Sequence, residues 1–404
     1  MGPSRLPVDR RWGIVSVTVL FQIASLGVTL NSFTFFVETW SKEFHAPISE
    51  LTATFTVMNF VLLFILPSVG RFCDRFSVRG LVAIGVLCTA AMHVAVGMVT
   101  GAWQLIALYA VLLPICVSLN GTIPAQTLVA RWFDKGRGFA MGLSAFGVQL
   151  AGVIFPPIVV AMLPLVGWRG TWWIFAGAIT LVVLPICWGV IRDWPKAEVL
   201  ADGAVETRPQ APPLSARQIL SHRNIWIVAG TFLAVQIPLQ AVSINLAPLL
   251  TSRHVGGQAA AGIAALSSVC AIAAKLAAGY VSDRLGNRLP LVVSAAAVAV
   301  GLLVLAYAAD FTTLAVGYAL IGASGAQWTL LASTTGAEFA PSTFGRAFGI
   351  LSTFTPLCAI GPVALATLQE HTGTYGPGIL ILAALSAVGA VVALLYRQPR
   401  SPAV

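Results

Sequence analysis

Twelve runs of about twenty apolar residues set the limits on this chain, because a run of that length crosses the hydrocarbon of a bilayer as a single helix. Lipid offers backbone amides and carbonyls no water, so a helix that bonds them internally is the form such a run must take. Six runs precede a polar centre: Trp12 to Phe36, Leu51 to Val69, Gly80 to Val99, Trp103 to Gln126, Phe139 to Leu163 and Gly170 to Ile191. Six follow it: Ile225 to Leu250, Ala260 to Gly279, Pro290 to Ala308, Thr312 to Ser333, Phe344 to Leu368 and Tyr375 to Leu395. The chain is 58% hydrophobic and only 9% charged, where a soluble domain carries about a quarter charged residues. Too little polar surface is left to cover a globule, so the expected class is an all-α polytopic membrane protein with twelve transmembrane helices.

An even number of spans puts both termini on one side, and the basic residues say which. If the N-terminus is inside, the inner segments collect Arg5, Arg10, Arg11, Arg71, Arg75, Arg79, Arg131, Lys135, Arg137, Arg192, Lys196, Arg208 and others, while the outer segments hold Lys42, Arg169 and Arg253. That bias follows the positive-inside rule and assigns both termini to the cytoplasm. Trp12, Trp40, Trp103, Trp132, Trp168 and Trp226 fall near span ends, where interfacial anchors are expected. The formal charge of +9 is scattered over short loops rather than gathered into a stripe, which argues against a nucleic-acid partner. The six cysteines lie mostly inside apolar runs without metal-ligand spacing and read as small buried hydrophobes. His45, His222, His254 and His371 share no spacing, and no catalytic triad or metal cluster is visible, so neither an enzyme nor a cofactor is expected.

The one long polar stretch, 192–223, mixes Asp193, Glu198, Asp202 and Glu206 with Pro209, Pro212 and Pro213, and reads as a flexible cytoplasmic connector. It divides the chain into an N-terminal six-helix bundle, 1–191, and a C-terminal one, 224–404. The halves repeat. Gly70, Asp74, Arg75 and Arg79 in GRFCDRFSVR are answered by Gly279, Asp283, Arg284 and Arg288 in GYVSDRLGNR, and the same 209-residue spacing separates Arg137 from Arg346. One spacing shared by motifs in two different loops implies two related bundles, the arrangement in which a central cavity opens alternately to either side. In each repeat the glycine is expected to end a helix where another backbone comes close. The aspartate is expected to accept amides at the start of a neighbouring helix and to pair with arginines, forming an inner gate. For Arg131, Lys135 and Arg137 the plainer reading is stronger, because ordinary positive-inside topology accounts for them.

A charge stands inside the run from Ala260 to Ala278: Lys275. An ionisable residue at such depth costs several kcal/mol unless it faces a polar cavity, so by default it marks the path of a substrate or ion. Its depth weakens a reading in which it merely snorkels to the headgroups. Other polar residues on the spans are Asn31, Asn59, Asn120, Gln149, Gln236, Gln240, Asn245 and Gln327. Asn31, Asn120, Gln149, Gln240 and Gln327 are candidates to line a binding cavity beside Lys275, with interhelical hydrogen bonding as the competing role. His93 reads as a packing residue, and Glu38 as a solvated charge at a helix end.

The doubled glycine then aspartate-arginine signature, set in twelve spans, resembles the major facilitator superfamily over essentially the whole chain. NSFTFFVETWSKEFHAPISELT, from Asn31 to Thr52, resembles the first helix and outer loop of monocarboxylate transporters. SLNGTIPAQTLVARWFDKGRGFAMGLSAFG, from Ser118 to Gly147, resembles the region shared with bacterial oxalate/formate exchangers. In that branch an arginine four residues before the second-repeat glycine binds carboxylate, and Lys275 stands at that place. A lysine supplies a point charge without the bidentate fork of arginine. Two departures concern protons: Asn31 replaces the first-helix lysine of the mammalian-type carriers, and Ala271 replaces an aspartate one turn before Lys275. Proton coupling is therefore not carried over, and Lys275 itself is left as a candidate proton carrier.

The resemblance implies a secondary transporter of small monocarboxylates or related organic anions in a bacterial inner membrane, working as a monomer by rocker-switch alternating access. Exchange of the oxalate/formate type (antiport), proton symport and uniport all remain open. Export of drugs or amphiphiles by the same fold is the main competing function, and a non-transporting sensor is a third.

Overall fold

The computed structural model describes residues 8–133, 136–192, 198–199, 205–206, 213–253, 255 and 257–398; Arg5, Lys135, Lys196, Arg208 and His254 lie outside them. In chain order the α-helices are α1 (Val8–Leu26), α2 (Phe33–Phe44), α3 (Ile48–Arg75), α4 (Val78–Met98), α5 (Ala102–Ala107), α6 (Leu113–Leu119) and α7 (Thr122–Trp132). Next come α8 (Arg137–Ala178), α9 (Leu184–Val190), α10 (Ala216–Ser221), α11 (Arg223–Ile244), α12 (Leu246–Ser252) and α13 (Gly257–Leu285). The last are α14 (Arg288–Tyr307), α15 (Phe311–Gly322), α16 (Gln327–Glu338), α17 (Pro341–Ser352), α18 (Ile360–Thr372) and α19 (Gly376–Leu394). Two residues each of β1 (Glu198–Val199) and β2 (Val205–Glu206) pair antiparallel within the polar centre. That centre is not wholly irregular: it closes on α10, whose Ser215 and Gln218 form a capping box.

Among the described residues eleven helices are long and apolar enough to cross a membrane, and Arg11–Ala24 is a shorter apolar helix. The first of the twelve runs is thus not one unbroken helix. It widens into a π-helical turn at Gly27–Asn31 before α2 begins. Gly27 opens this turn against Phe155, since a Cβ on it would fall 2.3 Å from a ring carbon of Phe155. Ser32 Oγ donates to the Gly27 carbonyl at 3.2 Å, satisfying an acceptor where the regular ladder is disturbed. A second break is hidden inside α8, where Gly167 (φ 69°, ψ 177°) joins two helices across a kink.

By contacts the chain forms two compact units. The first comprises 1–134, 143–214 and 339–353; the second comprises 135–142, 215–338 and 354–404. In the first, an aromatic cluster supplies much of the core. Trp40 stacks on Phe36 and on Trp172, with centroids 5.4 and 6.2 Å away, and His93 lies 4.9 Å from the Trp172 ring. Three of the tryptophans expected at interfaces are instead interior: Trp40, Trp132 and Trp168 are buried, whereas Trp12, Trp103 and Trp226 are exposed. The indole N–H explains two of these exceptions. Trp168 Nε1 donates to Glu43 at 2.6 Å and Trp132 Nε1 to the Arg192 carbonyl at 3.2 Å, so neither needs a headgroup partner. In the second unit, Val298, Leu302 and Leu305 of α14 share a core with Ile379 and Leu382 of α19. There Arg253 donates to carbonyls at the C-terminal end of α14, Ala308 among them.

Glu43 also accepts from Arg169 Nη1 at 2.6 Å, with both side chains more than a third exposed, 36% and 38%. Burial pulls the Glu43 carboxyl upward, but the bonds from Trp168 and Arg169 outweigh it and hold it below its ordinary 4.5. A carboxyl held low stabilises the fold above the ordinary value, and that contribution fades as pH falls through the lowered one. Thermal unfolding in detergent between pH 6 and pH 3 is expected to show an acid-dependent loss that Glu43→Gln removes. The size is at most about 1 kcal/mol for so exposed a pair, and an unchanged acid profile in the variant would refute the assignment.

Candidate functional site

The repeated aspartates make the same contact in each compact unit. In the second, Asp283 Oδ1 accepts from the Gly138 amide at 2.7 Å and Oδ2 from the Phe139 amide at 2.9 Å. These are N–H groups in the first turn of α8, where a regular helix offers no carbonyl four residues back, so a carboxylate there meets both donors and the positive end of the helix dipole. In the first, Asp74 Oδ1 accepts from Gly345 at 2.8 Å and Oδ2 from Arg346 at 2.6 Å, on α17. Each carboxylate thus bridges two successive amides.

Glycines make the approach possible. A Cβ on Gly279 would lie 2.3 Å from the Gly138 carbonyl oxygen, and one on Gly70 2.2 Å from that of Gly345. Both glycines sit inside continuous helices rather than at their ends, correcting the sequence reading: α13 runs on to Leu285 and α3 to Arg75. The cost of a mid-helix glycine is about 1 kcal/mol, offset here by backbone contact that any side chain would block. The partner strips are GxxxG pairs, Gly138 with Gly142 and Gly345 with Gly349. A Cβ on Gly142 would meet the Lys275 carbonyl at 2.8 Å, and one on Gly349 the Leu66 carbonyl at 2.8 Å. Lys275 and Leu66 are 209 residues apart, like the motifs, whereas Gly138 and Gly345 are separated by 207, as are Gly142 and Gly349. The contact register is therefore shifted by two residues from the one that aligns Arg137 with Arg346.

The arginines divide. Arg137 Nη1 donates to the Gly336 carbonyl at 2.6 Å, near the end of α16, and Arg346 Nη1 to the Leu214 carbonyl at 2.5 Å. Their guanidiniums thus donate to backbone carbonyls in these bonds, while the aspartates take backbone amides. Arg131, from α7, donates to the Cys73 carbonyl at 2.6 Å. The remaining motif arginines lie over rings or at the surface: Arg79 is 4.0 Å from the Trp188 centroid, Arg75 is 5.8 Å from that of Phe76, Arg284 is 4.5 Å from that of Tyr280, and Arg288 is exposed.

Lys275 is 2% exposed, on a span that runs from Ala265 to Leu285. It stands two turns before Asp283 on the same helix, so the clasp and the intramembrane cation share α13. Two of the other candidates bond within the unit that holds them. Asn120 Nδ2 donates to Thr89 Oγ1 at 3.1 Å in the first unit, at the break between α6 and α7. Gln327 Nε2 donates to Ser294 Oγ at 2.8 Å in the second. Gln149 and Gln240 are half-buried. The side chains of Asn31 and Glu38 lie outside what the structure describes. His93 is fully buried against Trp172, with Nδ1 2.6 Å from the Thr89 carbonyl, as a packing residue should be. Sequence reasoning missed a further buried polar group, in which Gln22 Nε2 donates to the Ser144 carbonyl at 2.9 Å and Thr18 Oγ1 lies 2.8 Å from Ser144 Oγ. Hydroxyls scattered along apolar runs give no periodic signal, although Gln22 itself was visible.

The Major Facilitator Superfamily profile matches residues 17–263 and 237–404. The chain belongs to that superfamily, whose members are transporters and not enzymes. It is 25% identical over 288 residues, 69% of its length, to an uncharacterized MFS-type transporter of Bacillus subtilis, YcxA, and 26% identical over 291 residues, 67% of its length, to monocarboxylate transporter 11 of the mouse. Those alignments span 66% and 61% of the two relatives, less than two thirds of each. The fold is similar to that of the human organic anion transporter MFSD10 (TETRAN), with a TM-score of 0.73 and 14% identity, covering 96% of this chain and 100% of that one. This is a multi-pass membrane protein of that superfamily.

The backbone approach at Gly142 makes a direct prediction. Gly142→Leu is expected to lower the stability of the detergent-solubilised protein by about 1–3 kcal/mol, the cost of overpacking. Gly262→Leu, at a helical glycine with open space around it, is expected to be neutral or stabilising by up to about 1 kcal/mol. Equal thermal shifts for the two would mean that α8 and α13 do not approach this closely.

Proposed function

We propose that this chain carries small organic anions, monocarboxylates foremost, and that Lys275 is the cation that receives them. The observation that carries the reading is the burial of Lys275 within a span. An ammonium in that position costs several kcal/mol unless it faces a polar cavity, and a small anion such as a carboxylate is a guest whose binding its charge favours. The names of a relative and of a structural neighbour, a monocarboxylate transporter and an organic anion transporter, agree with that chemistry. Both belong to other proteins, and the second is a likeness of fold.

In this reading the chain is arranged as two six-helix bundles, 1–191 and 224–404, joined by 192–223, in the bacterial inner membrane with both termini cytoplasmic. The anion enters a central site and is drawn to Lys275. The clasps at Asp74 and Asp283 then loosen as the bundles rock, which makes Gly70, Gly279, Arg137 and Arg346 parts of the gate. Gln240 and Gln149 are supplementary polar contacts. Asn120 and Gln327 are weaker candidates, since their amides already donate to Thr89 and Ser294. With Ala271 one turn before Lys275 there is no carboxylate at that place to take a proton, which favours exchange of one anion for another over proton symport.

Uptake of labelled organic acids into proteoliposomes tests this. Lys275→Ala is expected to lower uptake at sub-saturating substrate by at least about tenfold, the worth of one charge-assisted hydrogen bond, and Lys275→Arg to restore part of it. Dependence on internal anion would mark exchange, and dependence on a pH gradient would mark proton coupling. Undiminished uptake of every transported acid by Lys275→Ala, together with transport indifferent to substrate charge, would remove the anion reading and favour an amphiphile exporter.

A further inference from the structure

Arg288 belongs to the second signature but not to its clasp. Its repeat counterpart Arg79 lies over the Trp188 ring, whereas Arg288 opens onto a groove of about 430 Å³ in the second unit. Leu285 ends α13 at one edge, Leu289 and Val292 of α14 form the floor, Leu394 ends α19, and Arg397 brings a second guanidinium. Arg397 is held there by its surroundings. Its carbonyl accepts from Asn224 Nδ2 at 2.7 Å, the following Gln398 donates through Nε2 to the Leu285 carbonyl at 3.1 Å, and the preceding Tyr396 is buried. The turn that receives Gln398 requires glycine: Gly286 has φ +79°, and a Cβ on it would collide with the Gln398 amide.

The location of the groove says what fits it. The spans Ala265–Leu285 and Gly376–Leu394 end there and the span Arg288–Tyr307 begins there, so the two arginines stand where hydrocarbon gives way to headgroups. Leu289, Val293 and Val300, spaced to share one side of α14, are exposed and lead from the groove along the span. Two guanidiniums at headgroup level above an exposed aliphatic track complement a phosphate that carries acyl chains. A choline or ethanolamine group would bring a third cation beside them. A free anion would leave the aliphatic floor uncovered.

We propose that this groove is a binding site for one anionic phospholipid, its phosphate held by Arg288 and Arg397 and an acyl chain lying along Leu289 and Val293. The site is separate from Lys275 and stands whether or not Lys275 binds substrate.

Native mass spectrometry of the full chain in detergent, titrated with phosphatidylglycerol or with phosphatidylcholine of the same acyl chains, tests it. Each arginine near the membrane surface is expected to favour the anionic lipid by about fivefold. The wild type and Arg217→Gln, a change at an exposed arginine on α10, should therefore retain phosphatidylglycerol at least about tenfold better than phosphatidylcholine. The double variant Arg288→Gln/Arg397→Gln should lose that preference. Arg397→Gln alone, at the exposed end of the described chain, should lose about fivefold and gives the reading even if the double variant fails to fold. A wild type without preference, a variant that keeps the full preference, or displacement of the lipid by millimolar inorganic phosphate would overturn the proposal. The last outcome would mark a site for free anions instead.

Discussion

Backbone contact at paired glycines is the constraint on which the rest of the site depends, because helices surrounded by lipid gain nothing from hiding apolar surface against one another. What holds them is close packing and polar contact, and both require the backbones to meet. At Gly279 and Gly70 the space that a Cβ would need is already taken by a carbonyl oxygen, 2.3 and 2.2 Å away. Once the helices are that close, a short side chain one turn further along can reach amides on the neighbour. Aspartate has the necessary reach and carries two acceptors, which is why Asp283 and Asp74 each bridge two successive N–H groups. Glycine and aspartate therefore act as one device, and neither makes sense in the fold without the other.

Much of that device was legible in the sequence. The 209-residue spacing ties Gly70 to Gly279 and Asp74 to Asp283, and the donors at a helix start explain Asp283, whose partners lie in the first turn of α8; those of Asp74, on Gly345 and Arg346, lie in the second turn of α17. The partner register was not legible. Aligning Arg137 with Arg346 sets the second motif at the same spacing, but contact depends on the GxxxG strips, which are 207 residues apart. The arginines of those motifs carry topology and reach carbonyls at Gly336 and Leu214, so nothing requires them to keep step with the glycines.

Hydropathy gives the length of a run but not what faces it, and the misplaced features share that cause. Trp40 and Trp168 stand near span ends as interfacial anchors do, yet an aromatic cluster and Glu43 take them inward. The first run is apolar from Trp12 to Phe36, so no breaker announces the π turn at Gly27, beside which the Phe155 ring leaves no space for a side chain. Asn120 and Gln327 read alike in sequence as cavity candidates. Each amide in fact donates to a hydroxyl in its own unit, which is the other way polar groups survive in a membrane interior.

The repeat also supplies a control for Lys275. The crossing of α3 with α17 and that of α13 with α8 have the same construction, and at the corresponding step one carries Leu66 and the other Lys275, each with its carbonyl 2.8 Å from where a glycine Cβ would be. The crossing uses only the backbone at this step, so the side chain is free to differ between the halves. Leucine suits an apolar span at no cost, whereas a lysine there is unfavourable by several kcal/mol before any function is considered. Packing explains the glycine opposite and the aspartate two turns on, but it gives no reason to replace leucine with lysine. On the function proposed above, the reason is a negatively charged solute, the class of guest that an ammonium group attracts.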